Sequence, residues 1–432
     1  MTITIELFAK NYNPSMVKSK EYRYNGETYT IYNYDTSVVC DNDYDKNGLY
    51  RSVIVDSAGN IVSYAPPKSV TLDYFEKTNF DIECNFNLYA NEIVEGTMIN
   101  LFYNKNNGSW EISTKSAIGG NYWYFRTSYQ NSSTHYKQMT FREMFMEALG
   151  EKSDTNLNDA SVVKTLNVDY IYSFVMQHPM NHIVLNIQRP TLYLVSGYRV
   201  ENKTTIHSYS VDELVGELKL DMNSFGILTP KKVDIKGKNM GQINEMVSLA
   251  NIDVGFMIFN ASNGQRVKVL NDAYSRLKDI RGNNPNLHYH YLSLFAAGKV
   301  DEFLSMFPNY KRLFYEFYQQ SYDFIKEVHD AYVSYYVLKQ GKTNRIPKPI
   351  FTHIYTIHSR YYLPNLNSET PTIVTRDVVA KYYNEMTPKE KLYHVTYKTR
   401  EYAKRQDENN NYDDEDENNN LKETGTFITA SY

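Results

Sequence analysis

Few residues in this chain have the type and spacing to do chemistry, and most of those spacings exclude the common sites. His178 and His182 stand four apart, but Pro179 lies between them and no glutamate accompanies them, so they do not form a zinc-binding helix. His288 with His290, and His353 with His358, read as satisfied surface or core histidines. Cys40 and Cys84 are the only thiols, too few for a disulfide framework or a thiolate metal site, and they read as packing residues. There is no phosphate loop with Gly-Lys-Ser/Thr and no nucleophile elbow, and Gly119-Gly120 reads as a turn. No metal and no cofactor is expected.

What stands out instead is a series of short blocks in a fixed order. They are Arg51-Ser-Val-Ile-Val-Asp56, Tyr64-Ala-Pro-Pro-Lys68, Ile93-Val-Glu95-Gly96, Ser113-Thr-Lys115, Phe174-Val175 running on to Asn181 and Val184, Asp253-Val254-Gly255, and Gly264-Gln-Arg-Val-Lys268-Val-Leu270. The series resembles the motifs of the phage-type, tRNA-repairing RNA ligases of the covalent nucleotidyltransferase superfamily, over roughly residues 45–285.

In that family a lysine in Lys-x-Asp/Glu-Gly attacks the α-phosphorus of ATP, because a nitrogen nucleophile gives a stable, transferable phosphoramide. Here the corresponding position is Ile93, ahead of Glu95 and Gly96. The family's nucleoside-binding glutamate is replaced by Val175, its metal-site glutamate by Val254 with Asp253 one place away, and the second lysine of its Lys-x-Lys by Leu270. The resemblance therefore implies a degenerate member that makes no lysyl-AMP. It also implies retained nucleotide or phosphate contacts at Arg51, Lys68, Glu95, Gly96, Lys115, Asn181 and Lys268, with Lys77 an alternative to Lys68. Exposed lysines are tolerated widely, so the same cations are also expected where phosphate binding has lapsed.

The elements that must position these residues are legible in part. Residues 51–64 and 98–114 read as two hairpins, Tyr170–Phe174 and His182–Ile187 as strands, and Phe141–Leu149 and Gln242–Ala250 as helices. From about Tyr274 the hydrophobic period changes from two to between three and four. Helices are predicted over His288–Met306, from Leu313 to about Lys339 with Gly341 closing it, over Arg376–Met386 and over Pro388–Lys404. The fold class is α+β: an antiparallel, β-rich, RNA ligase-like nucleotidyltransferase domain over 1–285, then an all-α C-terminal domain over 286–405. Residues 406–432 read as a disordered acidic, Asn-rich tail, either solubilising or competing with nucleic acid for a basic groove.

The 432 residues carry 46 bases and 50 acids, and seven of the acids lie between Asp407 and Glu417. The remainder is slightly basic, which permits a nucleic-acid partner without announcing one. No apolar run approaches a membrane span, and the N-terminal residues lack a basic leader and an apolar secretory segment, so an intracellular setting, cytoplasm or virion, is expected. Two functions fit: an inactive RNA ligase-like protein that binds RNA or nucleotide phosphates, or a structural component of a large DNA virus particle that meets other proteins through the same fold.

Overall fold

The computed structural model describes residues 3–8, 13–79, 84–122, 139–219, 222–249, 254–282, 284–340, 346–369, 373–402 and 404. Asp253, Gly341 and the acidic tail lie outside them. The chain divides into two compact units that meet in sequence at residues 282 and 283.

The first unit opens with β1 (Ile3–Glu6), then β2 (Val17–Tyr24), β3 (Glu27–Tyr34), β4 (Arg51–Asp56) and β5 (Ile61–Ser63). The β2–β3 hairpin, absent from the sequence reading, turns on Asn25-Gly26, both left-handed at φ 50° and 78°, the dipeptide that a two-residue turn demands. Next come α1 (Leu72–Thr78), β6 (Leu88–Glu92), β7 (Thr97–Asn104), β8 (Ser109–Ser113) and α2 (Phe141–Ala148). Thr140 and Glu143 cap α2 reciprocally, which explains why its start was readable. The unit continues with β9 (Tyr170–Gln177), β10 (Thr191–Val200), β11 (Thr205–Tyr209), α3 (Val211–Leu218), β12 (Lys232–Val233), α4 (Met240–Leu249), β13 (Gly255–Asn260), β14 (Arg266–Leu270) and α5 (Asp272–Arg281).

These strands form three antiparallel sheets, ordered β1-β11-β10-β9-β7-β8, β12-β6-β13-β14 and β2-β3-β4-β5. Strand β9 is buried from Tyr170 to Met176 and mostly apolar, Ser173 apart, because elements pack on both its faces. Phe174 and Met176 join a core with α2 residues such as Phe145, and Ile171 joins a second core with Val53 and Ile54 of β4. In the second sheet, Leu88, Ala90, Phe256, Ile258, Val267 and Val269 turn toward α4 and Phe75 of α1. By strand alternation the opposite face of that sheet is left for other use.

The predicted strand at His182–Ile187 does not form. The amides of Ile183, Val184 and Leu185 all donate to the buried Glu95 carboxylate at 3.0–3.1 Å, so a side chain, not a ladder, satisfies them.

The second unit contains α6 (Leu287–Ala296), α7 (Val300–Met306), α8 (Lys311–Tyr332), α9 (Lys348–Ile357), α10 (Arg376–Asn384) and α11 (Pro388–Val395). The antiparallel β-rich part followed by helices is the α+β class expected. The single helix predicted over 288–306 is two, because Gly298 takes a left-handed φ of 67° and Lys299 bonds back to the Leu294 carbonyl (2.9 Å). The long helix continues past Tyr332 as a π-helical turn to Val337. The last predicted helix breaks at Thr396, whose hydroxyl bonds back to the Leu392 carbonyl at 2.6 Å. No helix among the described residues is long and apolar enough to cross a membrane.

Two residue-level expectations are corrected. Both cysteines are exposed rather than packed. His288 is fully buried against the Phe317 ring (centroids 4.3 Å apart), and neither ring nitrogen has a hydrogen-bond partner. Burial lowers its pKa to about 4. That lies below the value near 6.5 of an unfolded histidine, so the unfolded chain takes the proton first as pH falls. Stability should therefore decline between about pH 6.5 and 4, a decline that His353, lowered to about 4 by burial and by His394, shares. Replacing His288 with Phe should stabilise the protein by about 1 kcal/mol at neutral pH and shallow the acid decline. Urea unfolding at several pH values checks both; a destabilised variant at neutral pH counts against this account.

Candidate functional site

A cleft of about 1020 Å³ opens in the first unit between the free face of the second sheet and the first sheet. Cross-strand pairing puts Asn91, Met257 and Lys268 in one row across β6, β13 and β14, and Tyr89, Phe259 and Arg266 in the next. All six line the cleft, and the Tyr89 and Phe259 rings stack at 5.0 Å. The facing wall includes Met98 of β7, Val175 of β9 and Ser196 and Tyr198 of β10. Val175 faces the cleft because its neighbours Phe174 and Met176 are committed to the core behind.

Arg51 enters through a local irregularity. The β3–β4 register slips between Tyr32/Val53 and Asn33/Arg51, leaving Ser52 as the extra residue at φ 61°. The Asn33 side chain accepts the Ser52 amide (3.1 Å), and the Ser52 hydroxyl donates to the Thr114 carbonyl (2.9 Å). This β-bulge aims the first side chain of β4 into the cleft.

Ile93 lines the cleft too, and its amide donates to the Gly255 carbonyl at 2.8 Å. Gly96, two residues after Val94 on the connection to β7, is also in the lining; a β-carbon there would fall on the Met176 carbonyl oxygen and the Val175 side chain. Of the four apolar residues at positions where the resemblance expects polar groups, Ile93 and Val175 thus border an open cavity, while Val254 is buried and, like Leu270, absent from the lining.

Cations gather on one part of the cleft, whose lining also holds Glu6, Asp45, Glu92, Asp212 and Glu213. Among the described residues, no ion pair engages Arg51, Lys115, Arg266 or Lys268. Burial in the cleft, with Arg266, Arg51 and Lys278 near, lowers the Lys268 amine to about 8. That side chain still meets solvent, so the depression reflects concave surroundings and like charge rather than enclosure. Burial and Arg266 lower the Arg51 guanidinium from its ordinary value, and burial and Arg51 do the same to Lys115, which lies 5.8 Å from the Tyr34 ring centre. Arg266, which the sequence reading quoted without assigning a role, donates to the Pro67 carbonyl while its Nε is buried without a partner. The signal was available: 266 and 268 share a face of β14 by strand alternation.

Lys115 is near Arg51 but absent from the lining, and the remaining expected contact residues also lie outside it. Lys68 is held by Asp41 at 2.5 Å, and Asp41 also accepts the Thr71 amide. Glu95 is 4% exposed and binds the 183–185 amides. Asn181 donates to the Thr97 hydroxyl at 2.7 Å. His178 pairs with Glu147 at 3.2 Å and accepts the Met180 amide.

No protein-family model matches the chain. A curated relative, the immediate-early protein ICP-46 homolog of Invertebrate iridescent virus 6, is 23% identical over 267 residues, covering 58% of this chain and 57% of that protein. The chain thus spans a little over half the length of the relative it matches. Among solved structures, an archaeal ATP-dependent RNA ligase (form 2) is 13% identical over 69% of this chain and 68% of its own, with a TM-score of 0.39. A Naegleria gruberi RNA ligase with PPi is 13% identical over 64% and 85%, with a TM-score of 0.30. At these TM-scores the likeness is too loose to assign an activity.

Proposed function

We propose that this protein is a non-catalytic, RNA ligase-like binder that holds a phosphate of a nucleotide or of RNA in its inter-sheet cleft and forms no lysyl-AMP. The observation that carries the reading is the unpaired cation group on the cleft wall. Arg266 adds to the cost of charging Arg51, both arginines add to that of Lys268, none of the three takes part in an ion pair among the described residues, and the cavity beside them is open. An anion placed there relieves the repulsion, and both side chains present several donors to phosphate oxygens. Ile93 and Val175 offer that ligand an apolar border with no nucleophilic atom. The iridescent-virus relative supports a viral setting.

Equilibrium binding of labelled ATP and of a labelled single-stranded RNA tests the reading. Lys268→Ala should weaken binding about tenfold at low salt. RNA affinity should fall with salt at a slope of about −1.4, as two neutralised phosphates require. Flat binding curves would abandon the reading in favour of a scaffolding role.

The pH dependence has a definite sign. Lys268 has a folded pKa of about 8, below that of a free lysine, so its charge is present at neutral pH and lost as pH rises through about 8. Affinity for inorganic sulfate, whose charge is constant over this range, should be level near pH 7 and fall above about pH 8, and Lys268→Arg should flatten that fall. An affinity that rises above pH 8 would contradict the assignment of Lys268.

A further inference from the structure

We propose that the outer face of α8, in the second unit, is a docking surface for single-stranded nucleic acid, with bases stacked on Tyr315, Tyr318 and Tyr322. The inner face of α8 is spent on the core through Phe314, Phe317, Phe324 and Val328. The three tyrosines are 61%, 48% and 44% exposed. At about 100° per residue, Lys311, Tyr315, Tyr318, Tyr322 and Lys326 fall within a strip about 80° wide. The rise of 1.5 Å per residue sets the rings about 4.5 and 6 Å apart along the axis, close enough for neighbouring bases to meet successive rings.

Charge selects the occupant. Lys311 and Lys326 stand exposed at the two ends of the strip, and neither takes part in an ion pair among the described residues. The carboxylates of α8, Glu316, Asp323, Glu327 and Asp330, lie to one flank, about 40° or more round the helix beyond the Lys326 edge of the strip. Three of them already face cations: Glu316 with Arg312 (3.6 Å), Glu327 with Lys398 (2.6 Å) and Asp330 with Arg376 (3.9 Å). The strip itself is therefore aromatic and basic. A second copy packed antiparallel on it would bring lysine against lysine, whereas a polyanion meets both ends favourably. Exposed phenol rings, with a polar tip and a flat apolar face, suit a partner that stacks while remaining wet.

The surface does not depend on the cleft, and the experiment separates the two. Fluorescence anisotropy of labelled oligo(U) and oligo(dT) 12-mers is measured with the full chain carrying Arg51→Ala and Lys268→Ala, which disables the cleft. Adding Tyr315→Ser, Tyr318→Ser and Tyr322→Ser should weaken the remaining binding tenfold or more, while the three corresponding Phe substitutions should leave it within about twofold. Sedimentation velocity without oligonucleotide runs alongside. The proposal is overturned by any of three results: no oligonucleotide binding once the cleft is disabled, equal loss with Phe and Ser, or a dimer that the Ser variant abolishes.

Discussion

Replacing Glu95 with Ala should cost the first unit about 3–5 kcal/mol of stability, the range for removing one partner of a buried, multiply bonded charge. The carboxylate accepts the amides of Ile183, Val184 and Leu185, and burial together with the nearby Glu95 pushes the Tyr274 hydroxyl's pKa up. None of those three amides has a strand ladder to fall back on, so alanine leaves adjacent, partly buried donors without their acceptor. Glutamine is a poor rescue, because its amide group turns two further donors toward a site built from donors. Denaturant titration followed by tryptophan fluorescence and far-ultraviolet dichroism would measure the change. A loss under 1 kcal/mol would mean that water replaces the carboxylate and that the segment 181–190 is not held by it.

Incubation with α-labelled ATP and Mg²⁺ or Mn²⁺ should leave the protein unlabelled. Lysyl-AMP formation needs an amine lone pair directed at the α-phosphorus, and Ile93 stands where the resemblance expects that amine. Loss of a covalent nucleophile costs on the order of 10⁶ in rate in other enzymes, far below detection in such an assay. Ile93→Lys alone should not restore labelling, because Val175 and Val254 still stand where the resemblance expects carboxylates. One result would sink the inactive reading: a label that survives denaturation and maps by mass spectrometry to Lys268, whose amine at about 8 is partly deprotonated at physiological pH. The protein would then be a transferase with a displaced nucleophile.

Much of this architecture was readable because it rests on local rules. The α2 capping box, the β4–β5 and β7–β8 hairpins and the change of period before the helical unit are each written within a short stretch of residues. The Asn25-Gly26 hairpin rests on an equally local signal. The failures were non-local. Residues 182–187 have strand-forming composition, yet a carboxylate nearly ninety positions away claims their amides. His288 sits on a helix pattern that says nothing about what packs over it, and Phe317 seals it without a partner.

The candidate site divides along the same line. The order of its blocks, Ile93 at the position where the resemblance expects a lysine, and the presence of Arg51 and Lys268 are properties of the chain that no folding could alter. Whether those residues meet was decided by pairing and packing. The register of β6, β13 and β14 puts Lys268 beside Met257 and brings Arg266 into the same wall. A bulge at Ser52 turns Arg51 inward, and an ion pair with Asp41 holds Lys68 outside the lining. Sequence carries residue type and short-range periodicity; the sharing of charge and hydrogen bonds among distant residues exists only once they are neighbours in space.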